Sequence, residues 1–166
     1  MYYLLILAVG IERLVELVLS KRNAQWSFDR GAKEFGRPHY AVMVAIHSAL
    51  LFGCIVETWA LHRPFIGWLG WPMLVVVALS HGLRWWCITT LGPRWNTRVI
   101  VLPGAPLVQQ GPYRWLHNPN YVAVVAEGIA LPLVHTAWLT AVCFTVAKAN
   151  LLRVRLRVEN SALGYA

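Results

Sequence analysis

Residues Tyr121 to Leu152 read YVAVVAEGIALPLVHTAWLTAVCFTVAKANLL, and this run decides what kind of molecule the chain makes. It is almost wholly apolar, yet too long for one straight bilayer crossing, which takes about 20 residues of helix. Pro132 interrupts it. Proline lacks the backbone donor and clashes with the preceding turn, so the run is expected to fold back around Pro132, His135 and Thr136 as a tight helical pair, residues 120–134 and 136–153. Glu127 stands inside the first arm, where an ionised side chain at the bilayer centre costs about 2.5–3.5 kcal/mol even on the lenient insertion scale. It needs a partner, and Arg84, His81 and His47 on neighbouring apolar stretches are the candidates.

Upstream lie three more apolar stretches of helical length, 2–20, 40–61 and 67–88. The expected fold is therefore all-α and polytopic: about five transmembrane helices in a single domain over 1–166, with a cytoplasmic loop and a carboxyl-terminal helix completing it. Composition agrees, since 58% of residues are hydrophobic and 13% charged, against about 25% charged in soluble domains. The mean hydropathy of +0.52 points the same way. The first stretch carries Glu12, Arg13 and Glu16 and lacks a positive leader, so it is expected to stay as a helix. Those three charges fit either an internal ion-pair network that orients the helices or a passage for substrate.

The net charge of +8 does not form a nucleic-acid stripe, because the basic residues flank apolar spans. Lys21, Arg22, Arg30, Lys33 and Arg37 follow the first stretch; Arg84, Arg94, Arg98 and Arg114 accompany the third connection; Lys148, Arg153, Arg155 and Arg157 close the chain. The second connection holds Arg63 alone, and the hairpin at Pro132 holds none. By the bias of Lys and Arg toward the cytoplasm, the amino terminus is expected outside and the carboxyl terminus inside. Cys54, Cys87 and Cys143 fall singly in separate stretches without metal spacing and read as small core residues, with no metal expected.

The third connection, Thr89 to Asn118, is long and rich in glycine, proline and tryptophan. Loops of that length are functional or disordered, and Trp95, Tyr113 and Trp115 favour an ordered cap. It ends in Gly111-Pro112-Tyr113-Arg114-Trp115-Leu116-His117-Asn118-Pro119-Asn120-Tyr121, and after the hairpin comes Arg153-Val-Arg155-Leu-Arg157-Val-Glu159-Asn160-Ser-Ala-Leu163. From about Leu83 onward the chain resembles the isoprenylcysteine carboxyl methyltransferase family, and more loosely the membrane phospholipid methyltransferases. Those proteins show Gly-Pro-Tyr, then Arg-His-Pro-x-Tyr, a hairpin, and a closing Glu-Glu-x-x-Leu. Here His117-Asn118 stands for Arg-His, Glu159-Asn160 for the paired glutamates, and the chain ends at Ala166 without the aromatic tail many members carry.

The resemblance implies S-adenosyl-L-methionine bound between the third connection, the start of the fourth helix and the last helix, with Gly111, Pro112, Tyr113, His117, Asn118, Pro119, Tyr121 and Glu159 as cofactor-binding residues. Read for themselves, Gly111 and Pro112 fix a turn, and Asn118 with Pro119 opens a helix. Tyr113 and Trp115 pack on an adenine or wedge the loop into the interface. Glu159 holds the cofactor's amino group or pairs with an arginine such as Arg155.

The acceptor implied is lipophilic and membrane-partitioned, prenylcysteine-like or of the alkylpyrone and alkylresorcinol kind, with no protein partner or nucleic acid required. A carboxylate needs only a cation, for which Arg153, Arg155 and Arg157 are available. A hydroxyl needs a base, which brings in His39, His47 or Glu127. The catalytic candidates are thus Arg153, Arg157, His47 and Glu127. A membrane transporter, motivated by the intramembrane charges, and a nicotinamide-dependent membrane reductase are the rival readings.

Overall fold

The structure is a computed structural model and describes residues 1–163; residues 164–166, with the terminal Ala166, and the side chains at positions 37, 38, 160, 162 and 163, Asn160 among them, lie outside the described residues. Five helices make up the body: α1 (Tyr2–Phe28), α2 (Arg37–Ala60), α3 (Gly67–Leu91), α4 (Pro119–Leu133) and α5 (Trp138–Leu163). The fold is all-helical apart from one pair of short strands, β1 (Lys33–Phe35) and β2 (Val99–Val101), and single 3-10 turns at Gly92–Arg94 and Gly111–Arg114. The strands run antiparallel, with Glu34 opposite Ile100. Three residues apiece, with no alternating apolar run, leave too little pattern for this pair to be read from sequence.

The apolar run breaks where Pro132 stands. Helix α4 ends at Leu133, the amide of Ala137 donates to the Pro132 carbonyl, and Thr136 takes a positive φ of 53° before α5 begins. Glu57 of α2 clasps the restart, accepting from the amides of Leu139 (3.2 Å) and Thr140 (2.7 Å) and ion-pairing with Arg63 at 2.8 Å. The free amides at the start of α5 thus meet a carboxylate, the charge a helix amino terminus favours. Helices α4 and α5 then pack closely because Gly128 has no side chain: a Cβ there would stand 1.9 Å from Phe144.

The charges inside α1 do not face lipid. Arg13 pairs with Glu16 at 2.6 Å and with Glu127 of α4 at 3.0 Å, while Arg84 of α3 pairs with Glu16 at 2.5 Å and Glu127 at 3.2 Å. Glu12 takes His81 and, at 2.6 Å, the indole N–H of Trp85. One network therefore ties α1, α3 and α4 together, as the ion-pair reading of these residues requires. Of the partners considered for Glu127, Arg84 is used, His81 goes to Glu12, and Arg13 is an addition.

Around this interior the surface is apolar. Leu4, Leu7, Leu14 and Val18 of α1, Phe52 of α2, Val75 and Leu79 of α3 and Val142 and Val146 of α5 are all exposed. Contiguous apolar surface of this kind marks a membrane or partner contact. Two helices, α2 from His39 and α3, are long and apolar enough to cross a membrane, and α4 is a shorter apolar helix.

Candidate functional site

At the end of the bundle where the basic residues collect, the connection between α3 and α4 folds over the helix ends. Its anchors are polar and specific. Asn23 of α1 donates to the carbonyls of Trp95 (2.8 Å) and Gly92, Ser20 meets Asn96 at 2.8 Å and Thr97 at 2.7 Å, and Arg94 donates to the Pro106 carbonyl at 2.8 Å. With β1 and β2 alongside, these bonds explain how a loop of this length is ordered.

Beneath it lies a cavity of about 930 Å³, lined by the connection, the first turn of α4 and the last turns of α5. Gly111 makes one wall possible: its φ is +55°, and a Cβ would stand 2.5 Å from Thr90 Oγ1 and 3.0 Å from Trp86 Nε1. Pro112 is buried behind it. Tyr113 lines the cavity with its hydroxyl against the Cys87 thiol, and burial pushes its pKa well above the ordinary tyrosine value. Trp115 is exposed and sets its edge on Trp86, 5.9 Å between ring centres.

The polar heart is a relay between two helices. Tyr121, in the first turn of α4, donates a hydrogen bond to Glu159 of α5 and accepts one from Arg155 Nε at 2.8 Å. Arg155 reaches on to the Thr97 carbonyl and to Met43 Sδ, each at 2.6 Å, joining the loop and α2 to the same cluster. Positions 155 and 159 are one turn apart and share a helix face. Arg153 and Arg157, two residues off that face, are exposed and do not line the cavity, so helix periodicity gives Arg155 the position expected of them.

Of the cofactor-binding candidates, Gly111, Tyr113, His117, Asn118, Tyr121 and Glu159 line this cavity, with Pro119 buried beside Asn118. Asn118 precedes the first helical residue, but its side chain makes no capping bond, which leaves the amide available to the cavity. Two catalytic candidates are not brought here. Glu127 is held by two arginines inside the bundle, and His47 lies a turn below Met43 on α2.

Two cavity residues escaped the sequence reading. Asn120 Oδ1, an acceptor, and Trp95 Nε1, a donor, are both shielded from solvent and without a hydrogen-bond partner among the described residues. Buried polar groups are nearly always paired, so an orphan acceptor and an orphan donor on residues that line one cavity are exceptional. Nothing local distinguishes them in sequence. The arrangement offers a carboxylate, a guanidinium and aromatic rings around one cavity, groups able to hold a ligand that is both charged and aromatic.

Fold and site together define an all-helical protein, two of whose helices are long and apolar enough to cross a membrane, with a cup lined by charged, polar and aromatic residues over one end. The chain belongs to the isoprenylcysteine carboxyl methyltransferase (ICMT) family, whose profile matches residues 73–165. Its members are membrane-associated methyltransferases with S-adenosylmethionine as methyl donor. Among similar proteins, "Uncharacterized protein YpbQ" of Bacillus subtilis (strain 168) is 35% identical over 164 residues, 98% of this chain and 96% of the relative. An uncharacterized protein of Haemophilus influenzae is 24% identical over 159 residues, 92% of this chain and 89% of its own.

Proposed function

We propose that the protein transfers a methyl group from S-adenosyl-L-methionine to the carboxylate or hydroxyl oxygen of a lipophilic acceptor dissolved in the bilayer, prenylcysteine-like or alkylpyrone- or alkylresorcinol-like. The observation that carries this reading is one cavity that gathers Tyr113, Tyr121, Arg155 and Glu159, with Asn120 and Trp95 also in its lining. In it Glu159 accepts from the ligand's ammonium, Asn120 Oδ1 takes a further N–H, and Tyr113 or Trp115 packs on the adenine. The sulfonium supplies an activated methyl. What the protein adds is alignment of donor and acceptor and exclusion of water, which need no metal or covalent intermediate.

The same reading has five crossings, the amino terminus outside and the cavity at the cytoplasmic headgroups. Tryptophans support it, for Trp59, Trp68, Trp71 and Trp138 are exposed at one end of the bundle and Trp85, Trp86 and Trp115 at the other. Along α3, Trp68 and Trp86 are separated by roughly 27 Å at 1.5 Å per residue, close to the hydrocarbon thickness such belts bracket. The α1 and α5 crossings are less apolar because their inner faces carry the charged network and the site. Pairing of Glu12, Arg13, Glu16 and Glu127 with one another and with Arg84 and His81 weighs against a transporter, whose charges must be free to meet a substrate.

Two measurements test the proposal. Calorimetric titration of the purified protein should show saturable binding of S-adenosylmethionine and none of reduced nicotinamide. Membranes given radiolabelled methyl donor should carry label into the lipid extract. Absence of both signals would reject the reading.

A further inference from the structure

The cavity is more positive than its first ligand can balance. Four arginines line it, Arg94, Arg98, Arg114 and Arg155, and among the described residues Glu159 is its one carboxylate. S-adenosylmethionine brings a sulfonium and an ammonium against a single carboxylate, so its binding adds positive charge. A cleft lined by one sign of charge focuses its field and draws in the opposite ion.

Three of the four arginines have work within the protein. Arg155 donates to Tyr121 and to the Thr97 carbonyl, Arg94 donates to the Pro106 carbonyl, and Arg98 stands over the Tyr40 ring with Glu34 at 3.7 Å. Arg114 is exposed, and its guanidinium makes no hydrogen bond or ion pair among the described residues. Its backbone, by contrast, is held. The turn Gly111–Arg114 lies against α3, where Gly111 has no room for a Cβ beside Thr90, Pro112 is buried, Tyr113 meets Cys87, and Trp115 sets its edge on Trp86. A fixed backbone carrying an unengaged guanidinium in a cavity wall is preorganised for an anion, which the planar fork of arginine holds through two parallel bonds.

The neighbours of Arg114 are apolar. Trp115, Leu116 and Leu107 line the same cavity and are exposed. Trp86, which Trp115 touches, and Val122, next to Tyr121, are exposed in turn, so this rim runs into the apolar surface of the helices. A free cation at an apolar threshold matches an amphiphile with an anionic head.

We infer that Arg114 docks the acceptor as an oxyanion: the second substrate has an ionised acidic head, paired with the Arg114 guanidinium, and an apolar tail that leaves the cavity across Trp115 and Leu116. The inference rests on the methyltransferase reading above and chooses within it, against a neutral head. A carboxylate qualifies, and so does an acidic hydroxyl once its proton has gone to water. The oxyanion forms the O–CH3 bond with a lone pair it already holds, the donor's C–S pair returns to sulfur, and no proton moves. Methylation removes the negative charge, so the product loses its hold on Arg114 and departs to the bilayer.

The test uses the full-length protein in a nonionic detergent at about pH 8, well above the carboxylate range, with dodecanoate and its neutral methyl ester as probes. The wild type should bind dodecanoate roughly tenfold or more tighter than the ester, the difference expected of a hydrogen bond to a charged group, and added salt should shrink that preference. Arg114→Gln should bind the two probes alike, and Arg114→Lys, which restores the charge, should recover the preference to within about threefold. Arg153→Gln, a change to an exposed arginine outside the cavity, should leave the preference within about twofold of wild type. Affinities for the ester and for S-adenosylmethionine should hardly move in any variant. The inference is overturned if the wild type does not prefer dodecanoate, if Arg114→Gln keeps the preference or weakens both probes together, if Arg114→Lys fails to restore it, or if Arg153→Gln loses it equally, which would make it a property of the basic surface at large. Failure of the methyltransferase reading looks different, as the wild type would then not bind S-adenosylmethionine at all.

Discussion

Replacing Tyr121 with phenylalanine removes one oxygen atom and, with it, the bridge between Arg155 and Glu159. The hydroxyl makes two charge-assisted bonds, one donated to Glu159 and one accepted from Arg155 at 2.8 Å. Bonds of that kind contribute about 1.5–3 kcal/mol each. Two effects reduce the loss: water entering the half-open cavity replaces part of it, and Arg155 and Glu159, spaced by one turn, can pair directly for about 0.3–0.5 kcal/mol. The ring itself stays, 5.5 Å from the Arg155 guanidinium. A net of about 1.5–2.5 kcal/mol remains, felt when ligand binding must order the two charges again. Affinity for S-adenosylmethionine should accordingly fall roughly 10- to 60-fold by calorimetric titration, with the melting temperature moved by no more than about 2 °C. Combining Tyr121→Phe with Glu159→Gln should cost less than the two single losses together, because the groups act as one unit. Affinity within twofold of wild type, or strict additivity in the double variant, would refute the bridge as the organising element of the site.

Other outcomes follow from the same geometry. Glu159→Ala should abolish binding of S-adenosylmethionine while the protein still folds, and unchanged affinity would remove Glu159 from the site. Glu127→Gln leaves Arg13 and Arg84 short of a counter-ion inside the bundle and should destabilise by about 3 kcal/mol, the lower end for breaking a buried pair; a thermal-unfolding midpoint equal to wild type would show that the network contributes nothing. Gly128→Ala forces a methyl into Phe144 and should cost about 1–3 kcal/mol, measured by denaturant unfolding. Burial keeps Tyr113 protonated above its ordinary range, so as pH rises past about 10 the unfolded chain ionises there and the folded one does not. Stability should then fall with pH, and Tyr113→Phe should flatten the fall in melting temperature between pH 9 and 11.

Much of the architecture was legible because its causes are local. Proline at 132 interrupts a helix whatever surrounds it, runs of apolar residues of bilayer length form helices without tertiary help, and the glycine-proline turn at 111–112 needs only its own backbone preferences. The motif from Gly111 to Tyr121 and the distant Glu159 likewise pointed to one site, since a cup built from two segments leaves its marks in both. The β1–β2 pair was hidden because three residues on each strand meet across a separation that no local pattern encodes.

What only the tertiary structure decided is which charge meets which. The sequence offered Glu127 three partners and did not include Arg13, because the distance between α1 and α4 is set by how the helices pack and not by their composition. It offered three arginines at the end of the chain; the rotation of α5 turned Arg155 inward to Tyr121 and left Arg153 and Arg157 in solvent. The unsatisfied atoms of Asn120, Trp95 and His47 could be found in no other way, for an orphaned hydrogen-bonding group is defined by everything around it. A single sequence specifies which polar groups exist, and packing in three dimensions determines which of them are left for a ligand.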